Sequence, residues 1–399
     1  MNFYLFFRKL HLYFTLIALI PLSVVVVTGI LLLFEAELTQ WLAEDEYRNN
    51  PELVLDNENL ALMQRHIKQL ALENRPCRVS YIRHDLQTLS LPWIYLTCPS
   101  GSQTFVINLD SDRHYPLQRE GFRLITDLHR TLLLNRLNLN SEGRTLVGIC
   151  SLILLFNIVL GLMLWFIRAK RVKLNKQQFT LKTTKGFSLR QLHAVTALYI
   201  TPILLIIIIT GISWTWREDI YNGLLHLQNK GEVSPKLHSQ RMHSRYPVAS
   251  LAKVYQKIEQ DYPNYHIQGV APALRRSDVV NIRLVDKTSL AYTPQLRISL
   301  DAYSLKEKYK VDSWSADSKD SIYAYKIMQY GLHTGFVFGG LGKWLWAIAN
   351  CILLISVISF GIILWLKRRK KIALRRDRIE HALTKVCYKP LTQPTKGKE

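Results

Sequence analysis

Apolar residues in this chain gather in four long blocks, separated by segments of mixed and mostly polar composition. The blocks lie at residues 12–34, 144–167, 193–216 and 343–366, and none contains an acidic residue. Each exceeds the roughly 20 residues that an α-helix needs to cross the bilayer hydrocarbon. The pattern therefore predicts an integral membrane protein with four transmembrane α-helices.

The two long segments between these blocks, residues 35–143 and 217–342, have the patterning of small folded domains. Apolar residues at the spacing of one helical face come first in each segment, at residues 60–70 and 251–258. Strand-like runs follow, at residues 79–82, 93–97, 104–108, 279–285 and 296–300. Each segment is predicted to form a small α+β domain, and neither carries a recognisable catalytic constellation.

The second half of the chain repeats the first. Arg8-Lys9-Leu10-His11 just before the first block matches Arg190-Gln191-Leu192-His193, which ends on the first residue of the third block. A proline lies within each of these two blocks. Leu128-His129 ahead of the second block matches Leu332-His333 ahead of the fourth. Parallel repeats of this kind imply two pseudo-symmetric halves around an axis along the membrane normal.

Basic residues predict the orientation of the chain in the membrane. The formal net charge is +22, and nearly all of the excess lies in residues 1–11, 168–192 and 367–399. The positive-inside rule places these three segments in the cytoplasm and the two domains outside it, as expected for a multi-pass protein of the bacterial inner (plasma) membrane. Anionic lipid explains basic runs that flank helices, so membrane lipid is an expected partner and nucleic acid is not.

Cysteine usage leaves one question open. Cys77 and Cys98 lie in the first predicted outer domain, where a disulfide is chemically permitted. Two buried thiols fit the sequence equally well. The pair does not have the C-x2-C spacing of a zinc site, so no zinc is predicted.

Four of the twelve histidines recur at matching positions of the two halves, namely His11, His193, His129 and His333. A single histidine at a membrane boundary is commonly an interfacial polar residue, but one present in both halves is a functional candidate. The helices contain no carboxylate for a proton relay, and a zinc or iron centre would usually bring carboxylate or thiolate partners. Two imidazoles facing each other across a bundle suit the axial positions of haem iron. The sequence therefore predicts two haem irons, ligated by His11 with His193 near the cytoplasm and by His129 with His333 near the outer face.

Several neighbouring residues are candidates for a supporting role. Basic residues beside the pairs are expected to bind haem propionates or to snorkel to lipid headgroups: Arg8, Arg190, Arg144 and Lys343. His226, shortly after the third block, is an alternative outer ligand. Glycines within the blocks let either a flat cofactor approach the backbone or the helices pack closely, and helix packing is the default expectation: Gly29, Gly211, Gly148, Gly161 and Gly361.

From residue 8 to about residue 369, the chain resembles the PepSY-associated transmembrane helix proteins. The resemblance is carried by Arg8-Lys9-Leu10-His11, Thr28-Gly29, Leu300-Asp301-Ala302-Tyr303, Leu332-His333-Thr334-Gly335, Gly342-Lys343 and Gly361…Trp365-Leu366. It implies PepSY-like outer domains and a haem b protein that reduces ferric iron, often siderophore-bound, on the periplasmic side. Leu128-His129-Arg130-Thr131 departs from the pattern because it lacks the glycine that follows His333 and Thr334.

The leading hypothesis is an inner-membrane haem b electron-transfer protein that reduces siderophore-bound ferric iron for iron uptake. The basic tail has no flavin or nicotinamide motif, so a separate electron donor, a quinol or a cytoplasmic reductase, is expected. The alternative is a non-enzymatic membrane-anchored PepSY module that binds or regulates an envelope protein. A transporter is disfavoured because the spans hold no charged residue away from their ends for a coupling ion.

Overall fold

Four long apolar helical segments form the bundle of this protein, whose structure is a computed structural model. The structure describes residues 3–42, 56–84, 91–99, 101–117, 119–171, 189–227, 248–273, 279–312 and 321–387. Within these ranges, the segments long and apolar enough to cross a bilayer are Phe3–Leu33, Asn140–Arg168, Gln191–Thr215 and Phe336–His381. The prediction of a membrane protein with four spans is confirmed. The helices extend past the predicted limits because backbone hydrogen bonding continues into the polar flanks.

The helices occur in chain order as α1 (Phe3–Leu33), α2 (Glu35–Leu42), α3 (Asn57–Glu73), α4 (Glu120–Thr131), α5 (Asn140–Arg171), α6 (Leu189–Thr215), α7 (Arg217–Leu227), α8 (Leu251–Asp261), α9 (Ser321–Thr334), α10 (Gly339–Ile352) and α11 (Phe360–Cys387). Short 3₁₀ turns at Leu134–Leu137 and Phe336–Phe338 precede the second span and α10. A π-helical stretch, Leu353–Ser359, separates α10 from α11. The fourth span is therefore not one regular helix, and π-helical turns of this kind are frequent at functional sites.

The described strands form one antiparallel sheet. They are β1 (Arg78–Arg83), β2 (Trp93–Cys98), β3 (Gly101–Asn108), β4 (Arg113–Pro116), β5 (Tyr265–Ala271), β6 (Val279–Asp286), β7 (Leu296–Asp301) and β8 (Glu307–Asp312). The eight strands have the order β4-β3-β2-β1-β5-β6-β7-β8. We call this sheet with α3 and α8 the sheet domain, the end of the bundle nearest to it the sheet end, and the opposite end the basic end.

The two segments predicted as separate domains, residues 35–143 and 217–342, share this sheet. β1 pairs with β5 through Ile82↔Val270 and Arg83↔Gly269. A Cβ on Gly269 would lie 2.2 Å from the Tyr81 hydroxyl oxygen and 2.7 Å from the Ile82 carbonyl oxygen, so glycine lets the two strands approach. The structure thus differs from a picture of two independent sheets, because the edge strand of each segment is covered by the other.

Helices α3 and α8 cover one face of the sheet. Met63 and Leu70 of α3 and Ile258 of α8 join Ile282 of the sheet in one buried cluster. These helix positions follow the apolar spacing that predicted the helices. Full burial of each such side chain stabilises the fold by about 1.5–3 kcal/mol, so this cluster is the core of the sheet domain.

Cys77 and Cys98 form a disulfide in the structure. Cys77 lies just ahead of β1 and Cys98 is the last residue of β2. The bond answers the question that the sequence left open in favour of the disulfide. Because disulfides persist in oxidising compartments, it also bears on which side of the membrane the sheet domain occupies.

Two helices that the sequence pattern did not distinguish, α4 and α9, pack against the bundle. α4 contacts α1 and α5, and α9 contacts α6. Left-handed residues then turn the chain into the next span: Gly335 with φ of 78° after α9, and Leu132 and Leu133 with φ of 51° and 67° after α4. The first half therefore makes its turn without the glycine of the second half, at a cost of roughly 1–2 kcal/mol for each left-handed leucine.

Candidate functional site

His129 and His333, on the last turns of α4 and α9, meet at the sheet end of the bundle. Their ring centroids lie 6.3 Å apart with 58° between the ring planes. Trp214 of α6 stacks on His333 at 6.3 Å and 25°. The structure thus brings the predicted outer pair together, whereas His226, the alternative outer ligand, is exposed on α7.

A backbone carbonyl of a neighbouring span fixes each of these two rings. The Nδ1 of His129 lies 2.9 Å from the carbonyl oxygen of Val25, and the Nδ1 of His333 lies 3.1 Å from that of Ile207. A carbonyl oxygen only accepts hydrogen bonds, so Nδ1 must carry the proton. A neutral ring then keeps its lone pair on Nε2, which is the form of imidazole that binds metals.

His11 is held in the same way at the basic end. Its Nδ1 donates to the carbonyl oxygen of Asn157 on α5, 3.1 Å away. His11 and His193 line one cavity with a volume of about 580 Å³. Cofactor sites in proteins usually occupy roughly 300–1,000 Å³, so this cavity is of the size that a cofactor needs.

The cavity wall is mostly apolar, with a cationic portion. Apolar side chains, mainly from α1, α5 and α11, supply most of the lining. Cationic side chains also line it: Arg8, Lys367, Arg368 and Lys371. Arg8 was predicted from the sequence and the other three were not, although Arg368 and Lys371 follow Gly361 along one helical face. The side chain of Arg190 lies outside the described residues.

Glycines face the histidines at both ends of the bundle. A Cβ on Gly29 would lie 3.1 Å from the Cε1 of His129, and a Cβ on Gly211 would lie 3.3 Å from that of His333. At the basic end, a Cβ on Gly161 would lie 3.4 Å from the Cε1 of His11, and a Cβ on Gly361 would lie 3.8 Å from the Cε1 of His193. Helix packing was the default expectation for these glycines, with the approach of a flat cofactor as the alternative. In the structure they leave room for imidazole rings. Gly29, Gly161 and Gly211 each come four residues after the residue whose carbonyl oxygen contacts the imidazole Nδ1. A side chain at these positions would lie over that oxygen and hinder the contact.

The other predicted cations lie at the sheet end. Lys343 is 4% exposed, pairs with Glu37 and lies over the ring of Phe34. Burial and the charges of Arg144 and Arg217 together lower the pKa of the Arg130 guanidinium. Arg144 therefore belongs to a group of like charges beside His129, whereas the charge of Lys343 is already paired.

Threonine and asparagine side chains complete the surroundings, and the sequence analysis did not assign them a role. The hydroxyl oxygens of Thr28 and Thr210 lie 3.2 and 3.1 Å from the Nδ1 atoms of His129 and His333. The side-chain amide of Asn157 donates to Thr15 on α1. Thr28-Gly29 in the first span recurs as Thr210-Gly211 in the third. This repeat could have indicated a role for the two threonines, because it places a hydroxyl next to the glycine that makes room for the imidazole ring.

A four-span helical bundle with an attached antiparallel sheet and paired histidines defines a multi-pass membrane protein with a candidate cofactor-binding interior. The sequence profile of the family described as PepSY-associated TM region matches residues 8–368, so the chain belongs to this family and the resemblance is confirmed. No curated protein matches the chain with significant similarity.

Proposed function

We propose that this chain is a haem b electron-transfer protein of the bacterial inner membrane that reduces siderophore-bound ferric iron. One observation carries the proposal: His11, His129 and His333 each donate Nδ1–H to a span carbonyl and keep the Nε2 lone pair. Proteins hold imidazole metal ligands in this way, because the second hydrogen bond fixes both the tautomer and the ring orientation. Bound haem supplies one-electron redox chemistry at its iron.

The basic-end site suits both the apolar macrocycle of a haem and its charged propionates. Its apolar wall fits the macrocycle and excludes water, which helps to set the redox potential. Arg8, Arg368 and Lys371 would pair with the propionates, and Arg190 remains a predicted partner. His11 and His193 would hold the haem iron.

The sheet-end site suits a shared metal ion. Two imidazoles that share an ion through bonds of roughly 2 Å have their ring centres roughly 6 Å apart. The ring centroids of His129 and His333 are 6.3 Å apart. Arg144 is the better partner for a propionate here, because Glu37 already neutralises Lys343.

The two sites would lie at different depths of the same bundle. His11 and Val25, which mark their levels on α1, are separated by roughly 20 Å at 1.5 Å per helical residue. We infer two pseudo-symmetric halves, with both termini and the basic end in the cytoplasm. The Cys77–Cys98 disulfide supports a sheet domain on the oxidising side. The donor would be a quinol or a cytoplasmic reductase, and the ferric chelate would be reduced at the sheet end.

Optical spectroscopy of the full-length protein tests this proposal. Protein produced with ample haem and purified in detergent is expected to show b-type bands in reduced-minus-oxidised spectra. The pair variants His11→Ala/His193→Ala and His129→Ala/His333→Ala should each lose part of this signal. The matched control is His226→Ala, at an exposed histidine, which should keep the wild-type spectrum.

A second readout distinguishes electron transfer from haem binding alone. Adding a ferric siderophore to the chemically reduced protein should reoxidise the wild type rapidly and the sheet-end pair variant slowly. A protein without b-type bands would overturn the proposal. Full envelope function in a variant lacking all four histidines would favour the non-enzymatic PepSY module instead.

A further inference from the structure

Another pair of histidines lies in the sheet domain, outside the bundle sites. His66 on α3 and His114 on β4 face each other with their Nδ1 atoms 3.2 Å apart. The side chain of His66 is 4% exposed and that of His114 is 17% exposed. The pair is therefore largely buried and more open to solvent on the His114 side.

Carboxylates contact the far edges of both rings. The Nε2 of His66 lies 2.8 Å from a carboxylate oxygen of Asp112, and the Nε2 of His114 lies 3.3 Å from one of Glu73. A carboxylate accepts hydrogen bonds, so both Nε2 atoms carry protons. Two neutral rings then direct both Nδ1 lone pairs at each other across 3.2 Å. This contact is repulsive unless a cation lies between the two nitrogens.

That cation is either a shared proton or a metal ion, and the surroundings favour the metal. Each ring has a carboxylate on the nitrogen that faces away from the other ring, which is the arrangement in which proteins hold histidines that bind metals. A metal ion binds both neutral imidazoles at once.

The fold does not require these histidines, because the second half of the sheet domain makes the same elements without them. Asp56 caps α3 and Ser250 caps α8, and counting from these caps puts Gln260 at the place of His66. Asn108 in the β3–β4 turn and Asp301 in the β7–β8 turn accept equivalent backbone hydrogen bonds. Counting from these two residues puts Glu307 at the place of His114. The histidine pair is thus specific to the first half.

We propose that His66 and His114 bind one divalent transition-metal ion, such as Zn²⁺, through their Nδ1 atoms. Two nitrogens bound to Zn²⁺ at roughly 2 Å in a tetrahedral arrangement lie roughly 3.3 Å apart, which matches the observed separation. Asp112 and Glu73 accept hydrogen bonds from the Nε2 atoms and so orient the two rings. Among the described residues, no group of three or more His, Cys, Asp and Glu could hold a metal, so water completes the coordination.

Zn²⁺ binding by the full-length protein in detergent tests the site. The protein is stripped with a chelator and then titrated with Zn²⁺ in competition with a chromophoric chelator. His66→Gln and His114→Gln should each weaken one Zn²⁺ site by more than about 100-fold, since each removes one of two protein ligands. Glu73→Gln removes the carboxylate charge that orients the His114 ring and should weaken the site by roughly 10–100-fold. The matched control is His266→Gln, at an exposed histidine of β5.

The competing explanation, a shared proton, makes the opposite prediction. If the His66→Gln/His114→Gln double variant keeps the Zn²⁺ affinity and stoichiometry of the His266→Gln control, the metal site does not exist. If the histidine variants fail to fold, Glu73→Gln decides the matter, because wild-type affinity in that variant contradicts a carboxylate-oriented metal ligand. The site shares no residue with the haem proposal, so the b-type bands should be the same in all of these variants.

Discussion

Replacing Gly29 with alanine tests how closely His129 fits against α1. The added Cβ would lie 3.1 Å from Cε1 and 3.5 Å from Nδ1 of the imidazole. Optimal contacts between carbon atoms are about 3.5–4.0 Å, so the ring must move away from the helix. That movement pulls Nδ1 from the Val25 carbonyl oxygen, which it now approaches to 2.9 Å.

The expected cost follows from three terms. Overpacking costs about 1–3 kcal/mol, and weakening the hydrogen bond removes up to about 0.5–1.5 kcal/mol. Alanine in a helix recovers about 0.5–1 kcal/mol relative to glycine. The three ranges sum to about 0.5–4 kcal/mol, so we expect Gly29→Ala to destabilise the protein by about 2 kcal/mol and to displace His129.

Thermal unfolding and haem spectra of three variants measure this effect. Gly29→Ala should lower Tm and alter the sheet-end haem signal, while the basic-end signal stays. Gly121→Ala is the matched control on α4, because a Cβ there would have nothing within 4 Å. Gly361→Ala, where the contact to His193 is 3.8 Å, should resemble the control. If Gly29→Ala unfolds and absorbs light as Gly121→Ala does, the glycine does not make room for an imidazole ligand.

Three further predictions concern the stability of the fold. Burial lowers the pKa of His84 to about 3, below the unfolded value of 6.5. The unfolded state therefore takes up the proton first, so stability should fall by about 1.4 kcal/mol per unit as pH drops below 6.5, and denaturant unfolding of His84→Leu should lack this component. Replacing Cys77 and Cys98 with serine should cost about 2–4 kcal/mol in the same assay, and an unchanged midpoint would mean that the disulfide does not constrain the unfolded chain. Glu37→Ala should destabilise the protein by about 3–5 kcal/mol, because it leaves the buried Lys343 charge unpaired. Lys343→Met should cost less, because it leaves only a half-exposed carboxylate in water. A lower Tm for Lys343→Met than for Glu37→Ala would contradict the pairing.

The spans and the paired histidines could be predicted from the sequence because both depend on local pattern. An uncharged block of sufficient length has few alternatives to a transmembrane helix. His11 and His193 were recognisable because the same tetrapeptide position recurs before the first and third spans. The structure places both on one cavity, as the repeat suggested.

Long-range features could not be predicted in this way. Nothing local to Ile82 or Val270 indicates that β1 pairs with β5, because strand register depends on the partner strand. The turn through Leu132 and Leu133 was hidden as well, since non-glycine residues rarely adopt left-handed conformations.

The role of the glycines was also missed. Small residues in transmembrane helices usually mark close helix packing, and sequence spacing cannot distinguish a neighbouring helix from a neighbouring imidazole. Gly148, whose Cβ would meet Thr215 at the end of α6 and Trp216 directly after it, does serve helix packing. Gly29 and Gly211 contact histidines instead, and only the position of α4 and α9 makes this visible.

The haem-to-protein ratio tests the central claim most directly. In full-length protein produced with ample haem, extraction and quantification should give two haems per chain. The ratio should fall to one in His11→Ala/His193→Ala and to one in His129→Ala/His333→Ala, with the wild-type value kept in His226→Ala. A ratio of zero in the wild type, or one that neither pair of substitutions lowers, would contradict haem binding by the two histidine pairs.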